Sequence, residues 1–197
     1  MGRTRGLFIA IEGVDAVGKR TQTSILESWL RKQGMSTLTL SFPAYETTLG
    51  KEIRRFLAGK VTYPPQVRAM LYAANRWEKK ADLETMISGT DVAIVDRYSG
   101  SNFAYGVSSG LNLDWLIGLE LGLPEPNLTL VLDAPLAKIA PRRATKDSYE
   151  QNSDLPETAR SAYLKLSARF DWIVVDANGG IDETAEMIRV AVSKALG

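Results

Sequence analysis

The sequence predicts an α/β domain: one sheet of five parallel strands, helices on both faces, and a polar lid segment at about 141–156. Three observations predict it. Short apolar runs rich in β-branched residues alternate with amphipathic helical stretches, the order of a doubly wound sheet. The runs lack polar alternation, as suits strands covered on both faces. A glycine-containing loop ending in a lysine follows the first run and opens the first helix.

The first strand is read in LFIAIEG (7–13). After the loop, Ile25, Leu26, Trp29 and Leu30 form a helical stripe, and Gly34 is placed to end that helix. STLTLSF (36–42) is the second strand. Residues 65–88 read as one helix with Val67, Met70, Leu71, Ala74, Trp77 and Ala81 toward the core, ending at Gly89. DVAIVDR (91–97), NLTLVLD (127–133) and DWIVVD (171–176) complete the strands. The last helix sets Ile181, Ala185, Ile188, Val192 and Leu196 on one face, with Asp182 early and Lys194 late to complement its dipole. PRRATKDSYEQNSDLP (141–156) is polar and charged, a solvated loop or a lid. No repeat or linker divides the chain, so residues 1–197 are expected to form a single domain.

Composition narrows the chemistry. With 24 basic and 23 acidic side chains, the net charge of +1 argues against a bulk electrostatic nucleic-acid binder. The chain has no cysteine and no histidine. Disulfides and thiolate metal sites are therefore excluded, and an acid or base must be Asp, Glu, Lys or Tyr. A bound metal is expected to take oxygen ligands, which points to magnesium. The N-terminal apolar run, Leu7–Ile11, is too short for a signal peptide or a membrane span, so a cytoplasmic protein with no membrane association is expected.

Gly13, Gly18 and Lys19 have the G-x-x-x-x-G-K spacing of a phosphate-binding loop. In such a loop, backbone N–H groups point inward at phosphate oxygens and the following helix adds the positive end of its dipole. The expected phosphate-binding set is residues 13–21: Gly13, Val14, Asp15, Ala16, Val17, Gly18, Lys19, Arg20 and Thr21. Arg20 occupies the position where a magnesium-holding hydroxyl is usual, and the hydroxyl comes next, at Thr21. Asp96 ends a buried strand, where a carboxylate can meet a metal or its waters. Asp96 and Thr21 are thus the candidate metal residues, and Arg97 can clamp a phosphate. Arg68, Tyr72 and Arg76 form a ridge at helical spacing beside the apolar stripe, a ring and a guanidinium suited to holding a base.

Six stretches, in order, resemble the thymidylate kinase family of phosphate-loop nucleoside monophosphate kinases: FIAIEGVDAVGKRTQ, SFPAYETTLGKEI, LYAANRWE, VDRYSGSNFAYG, GLPEPNLTLVLD and KDSYEQN. The resemblance implies the P-loop NTPase fold and transfer of phosphate from ATP to dTMP with magnesium, giving dTDP and ADP. It implies that Lys19, Arg97 and a lid arginine, Arg142 or Arg143, act on the phosphates. It implies that Asp15 binds the sugar 3′-hydroxyl, Tyr72 stacks on thymine and Arg76 hydrogen-bonds its edge. Phe42 and Leu57 would line the base pocket, Tyr105 would disfavour a ribose, and Tyr149 would close over the substrate. Tyr45 and Ser101 complete the implied substrate set. It also implies a homodimer packed through helices. The chain departs from the family pattern at Arg20, at Tyr45 (where many members carry an arginine), at Asn127 and at Pro141.

Two other readings fit the same motifs. One is a kinase for UMP, CMP or dUMP. The other is a nucleotide-binding regulator whose departures mark lost catalysis. A GTPase is disfavoured because no N-K-x-D stretch is present to read guanine.

Overall fold

The computed structural model describes residues 6–139 and 155–197. The first half of the chain runs β1 (Leu7–Glu12), α1 (Lys19–Lys32), β2 (Thr37–Ser41), α2 (Thr48–Leu57), α3 (Pro65–Glu78), α4 (Lys80–Gly89) and β3 (Val92–Asp96). The second runs α5 (Ser99–Ser108), α6 (Leu113–Glu120), β4 (Leu128–Asp133), α7 (Leu136–Ile139), α8 (Leu155–Phe170), β5 (Ile173–Asp176) and α9 (Ile181–Leu196). Five strands form one sheet in the order β2-β3-β1-β4-β5, and every pairing is parallel.

Side chains of the central strands alternate between two cores. Ile9, Ile11, Ile94, Leu130 and Leu132 pack with α1, α5, α8 and α9 residues on one face. Phe8, Ala10, Ala93 and Val95 pack with Leu83, Met86 and Ile87 of α4 on the other. The expectation that every strand is covered on both faces holds only for the central three. In β2 Leu38 is 47% exposed, and in β5 Ile173 and Val174 are 40% and 44% exposed, because these strands form the sheet's two edges.

The single helix expected over 65–88 is two helices, α3 and α4, turned at Lys79. The Lys79 N–H bonds to the carbonyl of Arg76, three residues back, and the Lys79 ammonium bridges Glu46 and Asp82. The expected core stripe of α3 is only partly covered, with Val67, Leu71 and Ala74 half-buried. Met70 and Trp77 are exposed, and Ala81 lies exposed on α4, while Ala69, Ala73, Asn75 and Arg76 are buried. In α9, Ile181 is exposed and Thr184, Ala185, Ile188, Ala191 and Val192 are inside.

Register brings the strand ends together. Ile11 pairs with Asp96 on one side and Leu130 on the other, so Glu12, Asp96 and the end of β4 share the carboxyl edge of the sheet. Ligands of open α/β sheets bind outside this edge, where the strand order reverses. Asn127 has a structural task here: its Oδ1 accepts from the Phe8 N–H (2.9 Å) and its own N–H donates to the Phe8 carbonyl (2.8 Å), extending the β1 pairing.

Candidate active site

The loop between β1 and α1 has the expected form. Gly13 has φ 131°, and a Cβ there would lie 2.4 Å from the Leu132 carbonyl oxygen, so no larger residue fits. Gly18 enters α1 with φ 109°. Lys19 is 6% exposed, and its ammonium donates to the carbonyls of Gly13 (3.0 Å) and Val14 (2.9 Å). Thr21 and Arg20 are exposed at the helix start. Gln22 is buried, and its Nε2 donates to the Ile181 carbonyl (2.9 Å), tying α1 to the start of α9.

Asp96 closes the loop from β3. Its Oδ1 is buried and has no hydrogen-bond partner. Burial pushes its carboxyl above the usual carboxylate range, Lys19 and Arg20 oppose that, and Glu12 adds to it. An anionic carboxylate with an orphaned oxygen beside a phosphate loop fits a magnesium site with few protein ligands. Among the described residues no cluster of three carboxylates exists, so such an ion would take most of its shell from water and phosphate.

The same orphan predicts a trade-off. Asp96→Asn should stabilise the ligand-free protein by about 1 kcal/mol, or roughly 2–4 °C in melting temperature for a chain of this size. The sign follows from the raised carboxyl, whose ionised form is the one that burial disfavours. The gain should be present at pH 7 and vanish as pH falls below the ordinary Asp range, where folded and unfolded states are both protonated. Calorimetry at several pH values checks it.

Two pockets meet at the loop. The first, about 130 Å³, is lined by Phe42, Leu57, Arg68, Tyr72, Arg76, Ser101 and Tyr105 among others. The second, about 610 Å³, runs along residues 15–22 and reaches Asp96, Ala177, Gly179, Gly180, Ile181 and Thr184. Asp15, Phe42, Pro43, Tyr45 and Arg97 line both. The side chains expected from distant stretches to hold substrate therefore converge on one cavity beside the loop.

Within it, Arg97 pairs with Asp15, its Nη1 donates to Ser101 Oγ (3.1 Å), and its guanidinium lies 5.9 Å from the Tyr105 ring centroid. Its backbone adopts φ 66°, a left-handed conformation uncommon for a residue with a side chain. Arg76 is 2% exposed and forks onto Glu120, with Nε 2.8 Å from Oε2 and Nη2 bonded to Oε1. Asn102 Nδ2 also donates to Glu120 (3.0 Å). Tyr45 stands at the junction with the Arg54 guanidinium 4.7 Å from its ring centroid. Arg142, Arg143 and Tyr149 lie outside the described residues.

Sequence reasoning missed Glu120, which orients Arg76 from 44 positions away, and residues 177–184 of the second pocket. It also assigned no role to Glu12, although a carboxylate ending an apolar strand is the very signal that singled out Asp96.

The chain matches known proteins over nearly its whole length. The family model described as "Thymidylate kinase" covers residues 11–188. The thymidylate kinase of Homo sapiens is 33% identical, with 100% of this chain and 94% of that protein aligned. The probable thymidylate kinase of Pyrococcus horikoshii is 34% identical, with 98% of each aligned. That of Dictyostelium discoideum is 32% identical over 93% of this chain and 83% of its own length. A solved thymidylate kinase structure from Candida albicans superposes with a TM-score of 0.83 at 29% identity, covering 98% of this chain and 94% of that one. The fold is thus the P-loop NTPase fold expected from the loop. With a phosphate loop, an arginine-lined pocket beside it and these matches in agreement, the chain belongs to the thymidylate kinase family and is a phosphotransferase.

Proposed function

We propose that this thymidylate kinase passes the γ-phosphate of ATP in line to the phosphate of dTMP, giving dTDP and ADP, as part of dTTP biosynthesis. The observation that carries the proposal is the shared lining of the two pockets by Asp15, Phe42, Pro43, Tyr45 and Arg97. A donor lying on the loop and an acceptor in the smaller pocket would meet at those residues.

Lys19 and the loop N–H groups hold the donor phosphates, and Arg97 holds the acceptor phosphate in line. A loose phosphoryl-transfer transition state needs mainly positioning and charge neutralisation. The acceptor oxygens are already ionised at pH 7, so a chain without histidine lacks nothing for this step. Magnesium, when held through Asp96 and Thr21, would neutralise charge between the donor phosphates. Arg142 or Arg143 would supply further positive charge, and Tyr149 would cover the acceptor. Tyr72 stacks on the base, Phe42 and Leu57 flank it, and Arg76, aimed by Glu120, reads its edge. Asp15 takes the 3′-hydroxyl and Tyr105 fills the space a 2′-hydroxyl would need.

A coupled ADP-release assay over dTMP, dUMP, UMP and CMP tests the assignment. The proposal expects dTMP to give the highest kcat/KM, and a preference for UMP would overturn it.

Residues 1–197 act in this proposal as one kinase domain, working in the cytosol on soluble nucleotides. Among the described residues no helix is long and apolar enough to cross a membrane. We further propose that two copies pair through α3 and the end of α6. Met70 (44%), Trp77 (41%) and Leu121 (68%) are exposed there, and Trp77 Nε1 donates to the Leu119 carbonyl, which joins the two helices into one surface. Light scattering should give twice the 21.6 kDa chain mass, falling to one chain for Trp77→Glu. A monomeric wild type would refute the pairing.

A further inference from the structure

Glu12 is fully buried at the end of β1 and has no part in the reaction described above. Its carboxylate is nevertheless completely used. Oε1 accepts from the backbone N–H groups of Tyr98 (2.8 Å) and Ser101 (3.0 Å). Oε2 accepts from the hydroxyls of Ser101 (2.6 Å) and Tyr163 (3.1 Å). Room for it is made at Gly100, where a Cβ would sit 2.8 Å from Oε1. A buried carboxylate is tolerated only when hydrogen bonds replace its water, and here two backbone and two side-chain donors do so.

The arrangement acts on Arg97 in two ways. The first is through the backbone. Arg97 is held in its left-handed conformation from both sides, by its own N–H on the Ile11 carbonyl (2.9 Å) and by the next N–H, of Tyr98, on Glu12. The second is through Ser101. A serine hydroxyl has one proton. Ser101 directs that proton to Glu12 at 2.6 Å, which leaves a lone pair facing Arg97 Nη1 at 3.1 Å. Tyr163 Oη lies 2.9 Å from the same Ser101 oxygen and 3.1 Å from Glu12 Oε2, so from α8 its single proton is divided between these two acceptors.

We infer that Glu12 is the positioning residue for Arg97: it sets the polarity of the Ser101 hydroxyl and the backbone that aims the guanidinium into the acceptor pocket. The inference rests on the reading of Arg97 as the group that holds the acceptor phosphate.

Glu12→Gln keeps the shape and reverses the polarity. The amide oxygen can still take the two backbone N–H groups. The amide nitrogen then meets both Ser101 and Tyr163 as a donor, and the Ser101 proton, no longer held on Glu12, competes with Arg97 and Tyr163, so the lone pair that faced Arg97 is no longer fixed. Steady-state kinetics of E12Q should show the KM for dTMP raised on the order of tenfold, with kcat reduced less and the KM for ATP within about twofold of wild type. Ser101→Ala should raise the same KM. The double variant should be no worse than E12Q, since the residue through which Glu12 acts is already gone. A merely structural role predicts a lower melting temperature, unchanged KM values and additive effects, and that result overturns the inference.

If E12Q does not accumulate as folded protein, Tyr163→Phe carries the test. It removes one donor to Glu12 from a side chain that is 1% exposed and outside the acceptor pocket. A selective rise of severalfold in the KM for dTMP supports the inference, and an unchanged value overturns it. Arg97→Ala separates the two layers. If that variant leaves the KM for dTMP unchanged, the reading of Arg97 fails. If it raises KM while E12Q and Tyr163→Phe do not, only the role of Glu12 fails.

Discussion

Arg97→Ala is expected to lower kcat by on the order of 10²–10³, the loss seen when a preorganised electrostatic donor is removed from a reacting oxyanion, and to raise the KM for dTMP as well. The size follows from position: among the described residues Arg97 is the one basic side chain that lines both pockets. Lys19 lies on the loop carbonyls, and Arg76 is committed to Glu120. In the proposed arrangement Tyr45, where the family resemblance implies an arginine, would leave Arg97 with more of the acceptor phosphate. Its pairing with Asp15 would also link the proposed phosphate contact to the proposed sugar contact, so its loss would leave the Asp15 carboxylate without that partner. Arg97→Lys restores the charge without the planar fork and should recover only part of the rate. Initial rates with dTMP varied at saturating ATP measure both constants. Full retention of kcat and KM by Arg97→Ala would remove the assigned role.

Lys19→Met should cost a similar factor in kcat with a different signature. The ammonium bridges two loop carbonyls, at 3.0 and 2.9 Å. Charge-assisted hydrogen bonds of this kind are worth about 1.5–3 kcal/mol. The variant should therefore melt lower by several degrees, weaken ATP binding, and leave dTMP affinity nearly unchanged. Calorimetry and separate titrations of the two nucleotides distinguish this from the Arg97 effect. Equal damage to both affinities would mean that the loop and the acceptor pocket are not independent.

What the sequence made legible was local. The phosphate loop lies within ten residues of one strand end, and Asp96 and Arg97 lie at the end of another. Their chemistry could be read because strand ends of a parallel sheet share one edge. Tyr72 and Tyr105 were legible through helical spacing and motif order, and the structure brings both into one cavity. The illegible parts depend on separation in the chain. Glu12 meets Ser101 across 89 positions and Tyr163 across 151, and Arg76 meets Glu120 across 44. No periodicity reports such pairs. The turn at Lys79 has neither glycine nor proline to announce it. The apolar stripe of α3 was assigned to the core because hydrophobicity marks a face that is to be covered without saying by what. Edge exposure in β2 and β5 belongs to the strand order, which alternation within a single strand does not contain.

Donor and acceptor are proposed to meet where Asp15 and Arg97 line both pockets. That meeting is tested most directly by following phosphorus signals of ATP, magnesium and dTMP with purified wild-type protein. ADP and dTDP should grow in equal amounts, only when dTMP is present. ATP binding without dTMP-dependent product would contradict it and would mark the chain as a nucleotide-binding protein that has lost its chemistry.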